Sequence, residues 1–204
     1  KGKNHGFIMF LDWSGSMCYG LQSTIKQLLS LCMFCKQIQV PFEVYAFKDA
    51  GAENPFTNLG VPDSLKLGNV VLRNFLSSRM KTDEFNYAAT ILWSLGCGDH
   101  INCEGMGGTP LNEAIVIAPE MVKQFQIRNK LEIVNTIFLT DGESNGMSSH
   151  VENPTNPGVS YNPYKSKYFF TDRETGKTYE LPFGCWGTGN TATFLKVLKD
   201  RTQS

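Results

Sequence analysis

No apolar run in the 204 residues approaches the ~18–20 needed to span a bilayer. The first such run, Phe7 to Leu11, is also too short for the core of a secretion signal. Net charge is missing as well: Lys plus Arg and Asp plus Glu are 19 each, so the formal net charge is zero. No overall field therefore draws the chain to nucleic acid or to anionic lipid. Histidine is scarce. His5, His100 and His150 are the only three, and none has an identifiable nucleophile partner in the sequence. The phosphate-cradling pattern G-x-x-x-x-G-K-[ST] does not occur. Gly142 to Gly146 reads Gly-Glu-Ser-Asn-Gly, which is not the nucleophile elbow G-x-S-x-G. These absences argue against an enzyme, with metal-assisted hydrolysis at Asp12 and Asp141 as the one route left open.

What the chain does have fits a folded globule, with 41% hydrophobic and 19% charged residues. Its length suits one α/β domain with a sizeable core. Neither an internal repeat nor a second core is legible. We expect one domain over 1–204, with an insertion at about residues 146–184. A start at Lys1 and a strand within six residues lead us to expect a domain excised from a longer chain.

Six cysteines, at 18, 32, 35, 97, 103 and 185, are an even number that could pair in a secreted protein. A chain of this size needs no staples and nothing marks it as secreted, so reduced thiols in a cytoplasmic setting are expected. Cys32 and Cys35 stand i, i+3 in a helical pattern, which favours core packing over thiolate chemistry. Cys97, His100 and Cys103 fall within seven positions of a glycine-rich loop. Zinc there lacks a fourth ligand nearby, so an ordinary loop is preferred to zinc or a Cys97–Cys103 disulfide.

Phe7-Ile8-Met9-Phe10-Leu11 is apolar without alternation, as in a parallel strand covered on both faces. Helical spacing follows over Leu21 to Gln37, then an alternating β-rich run, Phe42 to Phe47. Together they predict a right-handed βαβ unit. Lys48 to Pro62 reads as loop, Val70 to Leu76 as a short strand and Thr82 to about Leu95 as a helix. Thr109 and Pro110 look like the N-cap and first residue of the next helix. Ile133 to Leu139 is a second buried-type strand. Gly146 to Pro163 reads as loop; Tyr168–Thr171 and Lys177–Leu181 read as a hairpin. A helix over Asn190 to Arg201 closes the chain. The fold class is thus α/β and doubly wound, with a mostly parallel sheet and helices on both faces.

In such a sheet, function gathers at the carboxyl ends of the central strands. Asp12-Trp13-Ser14-Gly15-Ser16 follows the first strand, Gly107-Gly108-Thr109-Pro110 opens a helix, and Thr140-Asp141-Gly142-Glu143-Ser144 follows the later strand. Two carboxylates and several hydroxyls are hard oxygen donors suited to Mg²⁺ or Mn²⁺. In an extended turn, Asp12, Ser14 and Ser16 face one side. Glu143 and Ser144 extend the third loop toward a ligand or form a solvated rim. Trp13 is a partner anchor or, by preference, loop packing.

These three segments, in this order and on these elements, resemble the von Willebrand factor type A (VWA) family and its metal-ion-dependent adhesion site. The resemblance runs from Gly6 to about Asp141. It implies that Ser14 and Ser16 bind the ion directly, Thr109 directly or through water, and that Asp12 and Asp141 hold it largely through water. It implies binding rather than turnover: Mg²⁺, or Mn²⁺ or Ca²⁺ in its place, takes an Asp or Glu from a protein partner. Gly-Gly-Thr-Pro-Leu-Asn-Glu-Ala and Thr-Asp-Gly-Glu are similar to the VWA domain of the cobaltochelatase CobT type and to proteins of tailed phages. That likeness implies a non-catalytic subunit serving an AAA+ ATPase, or a structural module of a virus particle. An RNA-binding role is disfavoured by the zero charge, and no membrane role is expected. The hairpin insertion departs from the family pattern, and the last strand of a complete VWA sheet is not evident after Asn190.

Overall fold

The computed structural model describes residues 4–49, 64–66, 70–98, 105–145, 148–150, 168–181 and 188–202. Strand β1 (His5–Asp12), helix α1 (Leu21–Gln37) and strand β2 (Phe42–Asp49) make the expected βαβ unit. β1 and β2 run parallel, from Phe7 opposite Phe42 to Asp12 opposite Phe47. There follow β3 (Ser64–Lys66), β4 (Val70–Ser77), α2 (Thr82–Gly96), α3 (Leu111–Asn129), β5 (Ile133–Leu139), β6 (Ser148–His150), β7 (Tyr168–Thr171), β8 (Thr178–Leu181) and α4 (Thr188–Thr202). The main sheet has the order β4-β2-β1-β5. β1 is parallel to both of its neighbours, and β4 alone is antiparallel, on β2. The protein is therefore mixed α/β with a mostly parallel four-stranded sheet.

Both faces of that sheet are covered. Met9, Leu11 and Trp13 pack with Ile25, Leu28, Cys32 and Cys35 of α1 and with Phe85, Leu92 and Leu95 of α2. Ile8 and Phe10 turn the other way, to Leu111, Ile115, Val122 and Phe125 of α3 and Phe194 and Leu198 of α4. The period-2 pleat sends alternate residues to opposite layers, so a strand with two covers needs no polar face. Every residue from Ile8 to Leu11 is accordingly fully buried. Each such side chain contributes roughly 1.5–3 kcal/mol relative to exposure. Cys32 and Cys35 are free thiols on the inner face of α1. Burial, with Cys35 adding to it, pushes the Cys32 thiol up to about 12, so the C-x-x-C pair is core.

The structure differs from the sequence reading in several places. Helix α3 begins at Leu111, and Pro110 occupies the cap position without a side-chain bond. Thr109 therefore precedes the helix rather than capping it. Ser148–His150, read as loop, pairs antiparallel with Ser64–Lys66. The hairpin forms where expected, Tyr168 opposite Leu181 and Thr171 opposite Thr178. α4 starts two residues early, at Thr188. Most of the Lys48–Pro62 and Gly146–Pro163 stretches, and His100 and Cys103 of the zinc reading, lie outside the described residues. Cys97 is exposed, and Gln22 Nε2 donates to its Sγ at 3.4 Å. Among the described residues no helix is long and apolar enough to cross a membrane.

Candidate metal centre

β1 has β2 on one side and β5 on the other, so the direction of winding changes at the β1–β5 pair. The crevice outside their carboxyl ends is where ligands bind in sheets of this kind. Asp12 is the last residue of β1, and Leu11 opposite Leu139 is the last β1–β5 pair. Thr140 and Asp141 thus emerge beside the Asp12 loop. The second loop joins them through its backbone. Gly107 N–H donates to Trp13 O at 3.1 Å, and Gly15 N–H donates to Gly107 O at 3.0 Å, a parallel bridge that prolongs β1 at Ser14. The third loop closes the set, with Asn145 N–H donating to Thr109 O at 2.7 Å.

On that frame the side chains form two short chains of hydrogen bonds. Ser14 Oγ and Ser16 Oγ are 3.1 Å apart, and Ser16 Oγ donates to Asp141 Oδ1 at 3.1 Å. The alternation expected of an extended turn holds only as far as Ser14, whose backbone is extended. A 3-10 turn over Gly15–Tyr19 then curls Ser16 back onto it. In the second chain, Thr140 Oγ1 donates to Asp12 Oδ2 at 2.7 Å. Asp12 is fully buried, and its Oδ1 makes no hydrogen bond. Burial pushes the Asp12 carboxyl above its ordinary range; Thr140 and Ser14 pull the other way, and the Asp141 charge adds to the rise. Ser16 and Asp141 are exposed, whereas Ser14 and Thr109 are buried. Direct side-chain bonds therefore link Ser14, Ser16 and Asp141, Asp12 stands within reach of the Asp141 charge, and the loop backbone brings Thr109 alongside.

Two of the three residues expected at a partner-binding rim are not on the surface. Trp13 is 2% exposed and packs its ring 5.2 Å from that of Phe75. It continues the phase of Met9 and Leu11, so the pleat carries it into the core. Ser144 is 5% exposed, and its Oγ accepts the Asn112 N–H at 2.9 Å. It supplies the cap of α3 that Thr109 was expected to provide. Glu143 alone of the three faces solvent.

Two participants escaped the sequence reading. Thr140 was seen only as a neighbour of Asp141. Asp49 ends β2 and presses its carboxylate against Gly107 and Gly108. A Cβ on Gly107 would collide with Asp49 Oδ1, and one on Gly108 would come within 2.5 Å of Asn145 Nδ2 and 2.6 Å of Asp49 Oδ2. The paired glycines let the second loop lie flat against its neighbours. The available signal was position, since Asp49 closes a parallel strand as Asp12 does.

The donors here are all oxygens, as Mg²⁺ or Mn²⁺ prefers. Among the described residues no three His, Cys, Asp or Glu side chains gather around one point. An ion would therefore need the hydroxyls as well as Asp12 and Asp141, and the orphaned Asp12 Oδ1 is the buried acceptor that such an ion fits. No family model and no curated protein matches the chain, and its reading rests on this local chemistry.

Proposed function

We propose that the chain is a VWA-type, divalent-metal-dependent protein-binding module, a subunit or adaptor of a larger assembly rather than an enzyme. The ion is Mg²⁺, with Mn²⁺ or Ca²⁺ as substitutes. The observation that carries this reading is the Asp12 carboxylate, fully buried with one oxygen unbonded. A buried charge that is only partly compensated, here by Thr140 and Ser14, is costly, and a cation beside Oδ1 would offset that cost.

Ser14, Ser16 and Thr109 would hold the ion, with Asp12 and Asp141 beside it. When bound, the ion supplies an open coordination position that attracts a partner's Asp or Glu. Ser16 keeps its proton on Asp141 and can offer a lone pair outward. The backbone ties at Gly107 and Thr109 fix the loops before any partner arrives, which lowers the ordering cost of binding. The module belongs to the cytoplasm, or to a virion if its source is viral.

Affinity capture from the source lysate tests this, with Mg²⁺, with EDTA, and with Thr109→Ala in Mg²⁺. The expected result is a band seen only with metal and intact Thr109, lost when the partner's acidic residue is replaced. An AAA+ ATPase in that band would assign the module to a chelatase-like machine. The same partners under all three conditions would overturn the metal-dependent reading and leave a structural module.

A further inference from the structure

We infer that Thr140 is a positioning residue that decides which oxygen of Asp12 faces a cation, an inference that rests on the metal reading above. The side chain has one proton to give, and it goes to Asp12 Oδ2 at 2.7 Å. Thr140 Oγ1 in turn accepts the Gly142 N–H at 3.3 Å. That second bond occupies a lone pair and leaves the proton aimed at Asp12. The carboxylate cannot turn about its last bond without breaking the Thr140 contact. Oδ2 is committed, and Oδ1 is left bare.

The placement follows from the sheet. Thr140 is one step beyond the Leu11–Leu139 pair, as Asp12 is, so the pairing of β1 with β5 sets the two side by side. Threonine suits the task because its β-branch restricts χ1, while its hydroxyl supplies the donor. Valine would keep the shape and remove the bond to Asp12 Oδ2, leaving the carboxyl only the smaller influence of Ser14. The carboxylate would then lose its closest anchor and present a less firmly fixed atom to the ion. Groups that orient ligands from behind are typically worth about 10–100-fold in metal affinity.

The test uses the whole 204-residue chain and Mn²⁺ alone, with free ion counted by electron paramagnetic resonance and Mg²⁺ added as competitor. Thr140→Val is expected to weaken Mn²⁺ binding by about 10–100-fold without moving the metal-free thermal midpoint by a comparable amount. Thr140→Ser is expected to restore most of the affinity, since it restores the donor. If the valine variant does not fold, Thr140→Cys, a weak donor, replaces it and is expected to fall well below Ser. Affinity equal to wild type in Thr140→Val, with Asp12→Asn abolishing uptake, would overturn the positioning role and leave the metal reading intact. A loss in Val that Ser does not rescue would overturn it too, by making shape the cause. A wild-type chain that takes up neither Mn²⁺ nor Mg²⁺ would bring down both.

Discussion

Asp12 and Asp172 are both buried carboxylates, and they differ in what stands opposite them. Asp172 accepts from Arg201 through both Nε and Nη2, from Thr175 Oγ1 at 2.7 Å and from Thr175 N–H at 3.1 Å. Asp12 accepts from Thr140 at Oδ2, while its Oδ1 makes no hydrogen bond. A closed constellation of this kind stabilises, whereas an open one leaves room for a ligand. The thiols sort by the same criterion of access. In native protein, a maleimide at pH 8 is expected to label Cys18 and Cys97, which are exposed, and to leave Cys32 and Cys35 unmodified until the chain unfolds. Peptide mapping by mass spectrometry reads this out; native labelling of Cys32 would contradict its placement in the core. Asp12, Ser14 and Ser16 were legible because they follow an apolar run directly. Thr140 and Asp49 were not, because their importance comes from a neighbouring strand or loop that linear order does not display. Trp13 was legible in retrospect: counting by two from Met9 puts it in the core.

The hairpin β7–β8 is an element that its own two strands cannot hold. Phe170, Tyr179 and Leu181 bury its inner side, with Phe170 stacked on Tyr179 and leaning on Phe194 of α4. Asp172 clasps its turn to Arg201 near the end of α4, and Tyr179 OH donates to Asp200 at 2.7 Å. The Arg201 bond, against the opposing effect of burial, holds the Asp172 carboxyl well below its usual range. Its contribution is thus fully present above the ordinary carboxylate value and is lost as pH falls toward the lowered one. Asp172→Ala is expected to cost about 2 kcal/mol at pH 7, less than a fully buried pair because Arg201 is partly exposed. Urea midpoints measure this, and Asp172→Asn should flatten the loss of stability below about pH 4. An unchanged acid slope would show that other carboxylates carry it. Strong periodicity made α1, α2 and the hairpin readable to within a residue or two. The β3–β6 pair was not, since three-residue segments are too short to carry a pattern and meet only through distant pairing.

Across the whole molecule, the two ends of the sheet do different work. At the carboxyl ends lies the oxygen-rich centre. Near the amino end of β2, Glu43 is buried and gathers Tyr45 OH, Arg128 at 3.1 Å and Arg79 at 3.7 Å. Burial, and then the bond to Glu43, pushes the Tyr45 hydroxyl up. This cluster ties the last turn of α3 and the turn before α2 to the sheet. Glu43→Ala is expected to lower stability by about 1–3 kcal/mol, chiefly by stranding the Tyr45 hydroxyl, while Mn²⁺ uptake stays at the wild-type level. Denaturant midpoints and Mn²⁺ titration on one sample check the separation; a matching fall in uptake would show that the two ends are coupled. The α/β class and mostly parallel sheet were readable from two unbroken apolar strands and a βαβ spacing. Strand order was not, because which strand lies beside β1 is decided by packing on two faces at once.

The centre's side chains come from opposite reaches of the chain: Thr140 and Asp12 are 128 positions apart, Ser16 and Asp141 125. A cradle with that span has no local precursor, since no fragment ending before β5 contains both halves of it. Closing a loop of this length carries a large entropic cost, which long-range pairings must meet before they stabilise the chain. The arrangement of Asp12, Ser16, Thr140 and Asp141 therefore exists only once β1 and β5 are paired. On the proposed reading, a partner would find its cradle only in a molecule whose first and fifth strands have already met.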